Sequence, residues 1–293
     1  MESSTTGIAS DRLLGHLRAL VGERHHRSSP EALLRAEAYL SEQFRGLGLT
    51  LGYHTVEAFG GRHRNVVASL RPNIPVAQGD QSPVIVAAHY DTVAGSPGAN
   101  DNASGLAVLL EAARALRECP CPREVRFIAF CLEEEQLLGS RGYAAHLREC
   151  GQALRGVIVL ECVGYASREP GSQRVPSGVP IAVPSVGDFL GIVGNAASSS
   201  LLSTFEQAAN QAVPELKTVA LLVPGNGEML RDTRRSDHAA FWDAGYPALM
   251  LTDTAEFRSP HYHRPTDQLD TLDLDFLALV ARALAAAVSA LAE

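Results

Sequence analysis

The chain has 293 residues, 46% of them hydrophobic and 20% charged, which is an ordinary composition for a globular protein. Its 25 basic and 33 acidic residues give a net charge of -8, and this balance argues against a nucleic acid as partner because phosphate binding usually needs a basic surface. The length allows one large domain or two smaller ones, and it is sufficient to bury a substantial core without disulfides.

Cysteine usage and the N-terminus bear on the cellular compartment. The five cysteines are odd in number, and Cys119 and Cys121 lack the CxxC spacing of a zinc or redox pair. The N-terminal segment MESSTTGIASDRLLGHLRAL has no basic region followed by an apolar run, so we expect no signal peptide. No stretch approaches the roughly 20 apolar residues that span a bilayer. We therefore expect a cytoplasmic protein that has no membrane partner.

The first predicted element with a clear start is a helix at Ser29-Pro30-Glu31, because serine suits the cap position and proline suits the first helical turn. Its apolar residues recur at helical spacing and form one face: Leu33, Ala36, Leu40, Phe44 and Leu47. Gly46 and Gly48 end this helix. Residues 64–70 (RNVVASL) then predict a strand.

Three short apolar runs follow, and each is succeeded by a side chain that can bind a metal. The runs are 84–88 (VIVAA), 125–131 (VRFIAFC) and 156–160 (GVIVL). The metal-capable residues just beyond them are His89, Glu133, Glu134 and Glu161. Continuous apolar runs of this length are typical of strands that are buried on both sides. Helices are predicted between these strands, one from Asn102 and one over residues 139–148.

The rest of the chain continues this alternation. Residues 165–187 are rich in proline, glycine and serine and predict a long loop, and loops of that length are often functional. A helical stretch is predicted from there to about Ala212, followed by strands over 218–223 and 248–252. An amphipathic helix closes the chain, with an apolar face made of Leu277, Val280, Leu284, Val288 and Leu291.

Strands that alternate with helices predict an α/β layer fold with helices on both faces of the sheet. In such folds ligands bind beyond the carboxyl ends of the strands. We therefore expect His89, Glu133, Glu134 and Glu161 to lie close together in space.

Two motifs near this expected edge carry possible metal chemistry. In His89-Tyr90-Asp91, the aspartate can accept a hydrogen bond from the free ring nitrogen of the histidine and fix its tautomer, although an ordinary histidine at a strand end has the same pattern. Asp101 lies in the segment GANDNASG (98–105). It can bridge two cations, or it can cap the helix that starts at Asn102, and the motif alone does not choose.

Further acidic residues and two histidines complete the candidate set. Glu133-Glu134-Glu135 can be a solvated turn, or one carboxylate can bind a metal while its neighbour acts as a general base. Glu161 ends an apolar strand, where a carboxylate is costly unless it is paired or bound to a metal. The segment SPHYHRPTD (259–267) offers His261 and His263, and spacing does not choose between them.

Taken together, the segments HYD, GANDNASG, EEEQLLGS, LECVGY, SDHAAF and PHYHRPTD resemble the M28 family of zinc peptidases, the aminopeptidase branch of the co-catalytic metallopeptidases. The resemblance extends from about Arg64 to the C-terminus, with the motifs in the same order. It implies a single peptidase domain over residues 1–293. The implied fold is a three-layer α/β/α arrangement around a central mixed, mostly parallel sheet, as in zinc exopeptidases.

The resemblance also implies a role for each residue of the site. The implied ligands of two zinc ions are His89, Asp101, Glu134, Glu161 and His263. Asp101 matches the carboxylate that bridges both ions, and Glu133 matches the general base. Asp91 matches the aspartate that orients His89, and His261 is then a neighbour of the site.

The chain departs from the family pattern at three positions near the site. Glu161 stands where aspartate is commoner, Asn100 replaces a frequent acidic residue, and Gln136 stands where glycine is frequent. None of these changes removes a metal ligand. Ser236-Asp237-His238 matches a family motif without an evident metal role, and we interpret it as a helix start that is capped by Ser236.

The activity that the resemblance implies is removal of N-terminal residues from peptides by metal-assisted hydrolysis. Three alternatives remain open: a glutaminyl cyclase-like transferase with a single zinc, an amidohydrolase acting on a small non-peptide amide, and a metal-free binding protein that kept the fold. The presence of all the candidate ligands favours two metal ions. The expected partner is therefore a peptide or small amide substrate.

Overall fold

The computed structural model describes residues 7–74 and 81–293, so the first six residues of the N-terminal segment considered above lie outside it. In the described ranges, the α-helices are α1 (Ser10–Leu20), α2 (Pro30–Gly46), α3 (Gly105–Arg117), α4 (Leu138–Glu149), α5 (Ser199–Ala212), α6 (His238–Asp243) and α7 (Leu274–Ala292). The strands there are β1 (Thr50–Ala58), β2 (Gly61–Leu70), β3 (Val84–His89), β4 (Val125–Phe130), β5 (Gly156–Glu161), β6 (Phe189–Asn195), β7 (Lys217–Val223) and β8 (Ala248–Thr252).

These strands form an eight-stranded sheet in the order β1-β2-β4-β3-β5-β8-β6-β7. β3 lies between β4 and β5 and runs parallel to both. β8 is parallel to β5, and β6 is parallel to β7. β2 pairs antiparallel with β1 and β4, and β6 pairs antiparallel with β8. The sheet is therefore mixed and mostly parallel, as predicted.

Alternate residues of the central strands pack into different cores. In β3, Val84, Val86 and Ala88 belong to the core that includes α1, α2, α3, α5 and α7, whereas Ile85 and Ala87 belong to the core that includes α4 and α6. Every residue of β3 is buried, which explains its continuous apolar run. Helices cover both faces of the sheet, and the predicted three-layer α/β/α fold is confirmed.

The structure corrects the sequence prediction at three elements. Residues 189–195 (FLGIVGN), which fall in the predicted helical stretch, form β6, and helix α5 begins only at Ser199. All of β6 is buried, so it lacks the alternation that marks a half-exposed strand. The edge strand β1 was not predicted. The helix expected from Asn102 begins at Gly105, after a π-helical turn at Ala99–Ser104.

Helix α7 also departs from an expectation. By length and composition alone it could cross a membrane, whereas the sequence was predicted to contain no stretch of that kind. In the fold, 61% of its apolar window is buried. It packs against α3 and α5, and its residues belong to the larger hydrophobic core. The apolar character of α7 is therefore explained by packing within this domain.

Candidate metal centre

Adjacent parallel strands bring the candidate ligands to the same edge of the sheet. His89 is the last residue of β3, and Glu161 is the last residue of β5. Glu133 and Glu134 follow the end of β4 after two residues. Since β3 pairs with both β4 and β5, these side chains meet beyond the carboxyl ends of the strands. Two further candidates arrive from the π-helical turn and from the loop after β8: Asp101 and His263.

The candidate ligands form two groups. In the first group, Nε2 of His89 lies 3.5 Å from Oε2 of Glu161 and 3.9 Å from Oε2 of Glu133. In the second group, Nε2 of His263 lies 3.3 Å from Oε2 of Glu134. Each group therefore combines an imidazole nitrogen with carboxylate oxygens at separations that a shared cation can span.

Asp101 lies between the two groups and faces both. Its Oδ1 atom is 3.1 Å from Nε2 of His89, and its Oδ2 atom is 3.0 Å from Nε2 of His263. The two oxygens of one carboxylate therefore point to two different histidines. His261, the other histidine of that loop, contacts the hydroxyl of Thr266 through Nδ1 instead and lies outside both groups.

Asp91 supports the centre differently from the sequence prediction. The Nδ1 atom of His89 donates to the main-chain oxygen of Asp91 at 3.2 Å, whereas the Asp91 carboxylate is 3.6 Å away. That carboxylate accepts the backbone N–H groups of Glu133 and Glu134, at 3.1 and 3.2 Å. Asp91 therefore fixes the tautomer of His89 through its carbonyl and orients both glutamates through its side chain.

The loop that carries Asp101 is held from two sides. The carboxylate of Asp267 accepts the backbone N–H groups of Asn100 and Asp101, at 2.9 and 3.1 Å. The side chain of Asn102 accepts from the backbone N–H of Cys162 and donates to the carbonyl of Leu160, which ties the loop to the end of β5. The alternative interpretation of Asp101 as a helix cap is wrong, because α3 begins after the π-helical turn.

Glu161 is held by two side chains that the sequence did not assign to the site. The hydroxyl of Ser236 donates to its Oε2 atom at 2.7 Å, and the thiol of Cys162 donates to its Oε1 atom at 3.3 Å. The prediction that Ser236 caps a helix is wrong, because α6 has Asp237 at the cap position and no side-chain cap bond. A serine before an acidic residue is a common local pattern, and only the fold shows that its hydroxyl reaches Glu161.

Two of the departures from the family pattern have local explanations. The Asn100 side chain donates to the carboxylate of Asp253 at 2.9 Å and accepts from the backbone N–H of Gly164 at 2.9 Å. An amide can make both bonds, whereas an ionised carboxylate cannot donate. Gln136 has a φ of +62°, in the left-handed region that glycine adopts without strain. For glutamine this backbone conformation is less favourable by about 1–2 kcal/mol.

Several buried atoms of the centre have no hydrogen-bond partner in residues 7–74 and 81–293. They are Nε2 of His89, Oδ1 of Asp101 and Oε1 of Glu134. Buried polar groups without partners are costly, and a cation would satisfy these atoms at once. Imidazole nitrogen and carboxylate oxygen are donors that zinc accepts. The residues present therefore fit a metal centre.

The pKa values of the centre reflect its burial and its excess of carboxylates. Burial raises the pKa of Glu133 well above its usual value. Burial and the neighbouring charge of Asp101 raise the pKa of Glu134 to about 7. Burial would lower the pKa of His263, but its hydrogen bonds to Asp101 and Glu134 raise it to about 10. Burial and the neighbouring carboxylates therefore favour proton binding in this centre, and a bound cation would favour the charged forms of the carboxylates instead.

Comparison with known proteins places this centre in a family. The model of Peptidase family M28 matches residues 65–288. The chain belongs to peptidase family M28. The predicted family is therefore confirmed, and with it the predicted class of enzyme, a metallohydrolase.

Three relatives illustrate the extent of the similarity to other proteins. The uncharacterized protein YfbL of Escherichia coli is 31% identical, with 96% of this chain and 88% of that protein covered. The structure of the Legionella pneumophila LapA aminopeptidase superimposes with a TM-score of 0.75 at 20% identity, covering 99% of this chain and 74% of that one. The structure of BSAP, a zinc aminopeptidase from Bacillus subtilis, is 30% identical with a TM-score of 0.58, covering 78% and 50%.

This M28 chain has an apolar cavity against its metal centre. Glu161 and Tyr262 line the cavity, and Tyr262 stacks on His263 with ring centroids 3.9 Å apart. Most of the wall is aliphatic or aromatic, including Val179, Ile181, Phe189, Val193, Leu221 and Met250. The predicted long loop 165–187 contributes part of this wall, so it shapes the space beside the metal centre.

The ionisation of the metal-free M28 centre leads to a prediction about stability and pH. Burial raises the pKa values of Glu134, Asp237 and Asp253 to about 7, and the pKa of His263 is raised to about 10. Groups with a raised pKa in the folded state bind more protons than in the unfolded state, so the stability they contribute is lost as the pH rises through these values. Burial lowers the pKa of His238 to about 4, so this group makes the stability rise with pH, but only below its pKa of 6.5 in the unfolded state.

The free energy of unfolding of the chelated protein is therefore expected to fall between about pH 6 and about pH 9, whereas the gain on adding zinc is expected to increase over the same range. Denaturant unfolding at about pH 6 and about pH 9, with chelator and with zinc, measures both the free energy of unfolding and the gain in that free energy on adding zinc. A chelated protein that is equally stable or more stable at the higher pH would contradict the prediction.

Proposed function

We propose that this chain is an aminopeptidase that uses two zinc ions to remove N-terminal residues from peptides. The observation that carries the proposal is the orientation of Asp101, whose two carboxylate oxygens face two separate groups of ligands. A single-ion centre needs only one such group. The aminopeptidase and zinc assignments are supported by the similarity to BSAP, a zinc aminopeptidase from Bacillus subtilis.

The chain's own residues divide between the two ions. His89 and Glu161 would hold one ion, and His263 and Glu134 would hold the other, with Asp101 shared between them. When bound, the two ions would lower the pKa of a water molecule and polarise the scissile carbonyl.

Glu133 is the proposed general base. It is 7% exposed, and its Oε2 atom lies 3.9 Å from Nε2 of His89, beyond hydrogen-bond distance, so the carboxylate is available to take a proton. Burial raises the pKa of Glu133, and the cations that the proposal adds beside it would favour its charged form, which is the form that accepts a proton. Glu133 would accept a proton from the attacking water and deliver it to the leaving amine.

The cavity beside the centre indicates the kind of residue that is removed. Its aliphatic and aromatic wall would accept an apolar side chain of the substrate, and Glu161 at the wall places that side chain against the metal centre. The buried carboxylates of the centre favour a cationic group, and the free amine at a peptide N-terminus is such a group. The combination favours cleavage after an N-terminal leucine or a similar residue.

The alternatives from the sequence analysis differ in measurable ways. A glutaminyl cyclase-like transferase would use a single zinc and release ammonia from N-terminal glutamine, and an amidohydrolase would accept amides that lack a free amine. The fold does not separate them, because one fold supports several chemistries. The two ligand groups around Asp101 favour the peptidase, and the unpartnered buried atoms argue against a metal-free binding protein.

The chain is expected to bind two zinc ions. The zinc-loaded protein should release leucine from a short peptide with a free N-terminus, whereas the same peptide with an acetylated N-terminus should stay intact. A leucyl amide should be preferred over an aspartyl amide by at least about tenfold in kcat/KM, because the wall of the cavity is apolar. Metal analysis and chromatography of the products measure both. Equal hydrolysis of the free and the acetylated peptide would contradict the aminopeptidase proposal and favour an amidohydrolase. Cyclisation of N-terminal glutamine by a chain that binds one zinc ion would favour the glutaminyl cyclase-like transferase.

A further inference from the structure

A glycine lies in the wall of the apolar cavity, at a position where β6 would otherwise present a side chain. Leu190 and Ile192 of this strand belong to the larger hydrophobic core. Since side chains alternate along a strand, Phe189, Gly191 and Val193 face the other side of the sheet, and all three line the cavity. The cavity therefore extends over the place where residue 191 has no side chain.

A row of residues across four strands connects the metal centre to this glycine. Glu161 at the end of β5 pairs with Thr252 of β8, Thr252 pairs with Gly191, and Gly191 pairs with Val219 of β7. All four residues line the cavity. Because neighbouring strands lie about 4.8 Å apart, Gly191 is about 10 Å from Glu161 across the sheet. A substrate side chain that starts beside Glu161 and follows this row passes over Thr252 and reaches Gly191.

The middle of this row has less side-chain volume than the positions beside it. Phe189 and Val193 flank Gly191 along β6, and Met250 lies two residues before Thr252 in β8. These three larger side chains also line the cavity. The floor of the cavity is therefore lowest along Thr252 and Gly191.

Neither the backbone conformation nor the strand pairing requires a glycine at position 191. Its φ lies outside the left-handed region that favours glycine. The pairing of β6 with β8 continues without a bulge, from Gly191 opposite Thr252 to Gly194 opposite Leu249. A glycine within a strand that has neither feature is typical of a place that a ligand or another backbone approaches closely.

The backbone of β8 does not by itself exclude a side chain at this position. A β-carbon on Gly191 would lie 3.2 Å from the carbonyl oxygen of Thr252, and 3.4 and 3.6 Å from the Cγ2 atoms of Thr252 and Thr254. A β-carbon on Gly139, by contrast, would lie 2.0 Å from the carbonyl oxygen of Cys131, where no side chain fits. Thr252 and Thr254 both line the cavity, so a larger side chain at position 191 would occupy the cavity itself.

We propose that Gly191 determines which N-terminal side chains the cavity accepts, and that its missing side chain makes room for leucine, methionine or phenylalanine. This inference rests on the proposed aminopeptidase function and adds to it the residue that sets the specificity. A side chain as short as that of alanine would end near Glu161 and leave the space above Gly191 unfilled. A branched or aromatic side chain would fill that space and bury its apolar surface there.

The ratio of kcat/KM for a leucyl amide to kcat/KM for an alanyl amide, measured on the zinc-loaded full chain, tests this role. We expect a ratio of at least about ten for the wild type, because one methylene group in an apolar pocket contributes about 10–200-fold. Gly191→Val puts a residue that suits strands into the row, and the ratio should fall by at least about tenfold. Val219→Phe fills the same row from β7 without changing β6, and we expect the same fall.

Gly194→Ala is the matched control, because Gly194 lies in the same strand but on the opposite face. A β-carbon there would lie 2.8 Å from Cδ2 of Leu249, so this variant should be less stable than the wild type. Its ratio should equal that of the wild type, because the fraction of folded protein affects both substrates equally. An unchanged ratio in both Gly191→Val and Val219→Phe would overturn the proposal, and so would an equal fall of the ratio in Gly194→Ala.

A binding measurement distinguishes failure of this inference from failure of the proposed function. Isopentylamine and ethylamine have the amine and the side chains of leucine and alanine but no scissile bond. By titration calorimetry, the zinc-loaded wild type should bind isopentylamine at least about tenfold more tightly than ethylamine, and Gly191→Val should lose this preference. If the wild type hydrolyses neither amide but shows this preference, the proposed function fails and the role of Gly191 stands. Equal binding of the two amines by the wild type would overturn that role.

Discussion

Replacing Glu133 with glutamine is expected to lower kcat for a leucyl amide by about 10²–10⁴-fold while the metal ions stay bound. Glutamine has nearly the same shape as glutamate but cannot accept the proton of the attacking water. The backbone N–H of residue 133 would still be held by the carboxylate of Asp91, so the loop geometry should persist. The change therefore isolates proton transfer from metal binding.

Three measurements on Glu133→Gln make this expectation specific: metal content per chain, kcat at saturating substrate, and thermal unfolding. Glu149→Gln, an exposed carboxylate at the end of α4, is the matched control and should retain wild-type kcat and metal content. Retention of most of the activity in Glu133→Gln would remove Glu133 from the role of base. Loss of zinc together with activity would instead assign Glu133 to metal binding.

Replacing Asp101 with asparagine is expected to remove at least one of the two proposed zinc ions and nearly all of the proposed aminopeptidase activity. An amide has one oxygen and no charge, so it cannot provide an oxygen ligand on both sides. The two carboxylate oxygens of Asp101 now lie 3.1 Å from Nε2 of His89 and 3.0 Å from Nε2 of His263. Even residues that only orient metal ligands change metal affinity by about 10–100-fold when mutated, and a shared ligand should exceed that range. We expect zinc affinity to fall by more than about 100-fold.

The fold itself should survive this substitution, because the loop is held through other atoms. Asp267 accepts the backbone N–H groups of Asn100 and Asp101, and neither bond involves the Asp101 side chain. Zinc titration with a competing chelator gives the affinity, and Asp270→Asn, an exposed aspartate, is the control. Two ions bound with wild-type affinity in Asp101→Asn would show that the carboxylate is not shared between them.

Much of the fold could be predicted from local pattern. The buried strands β3, β4 and β5 appear as short apolar runs because helices cover both of their faces, and the residue after each run marks the carboxyl edge of the sheet. Strand β6 was wrongly predicted as part of a helix because it, too, is covered on both faces. It is buried throughout, contains two glycines and leads directly into a helix, so no periodicity separates it from that helix.

The sequence by itself determined the family, the layer architecture and the candidate ligands, because these depend on residue types at short spacings and on motif order. Spacing did not choose between His261 and His263, because both lie in one loop, and the family resemblance pointed to His263. The tertiary structure shows which of the two rings faces Asp101. It also revealed the hydrogen bond that the backbone N–H of Asn100 donates to the carboxylate of Asp267, across 167 residues of chain. The hydrogen bond from the Ser236 hydroxyl to Glu161 likewise joins distant segments, and local periodicity carries no information about such contacts.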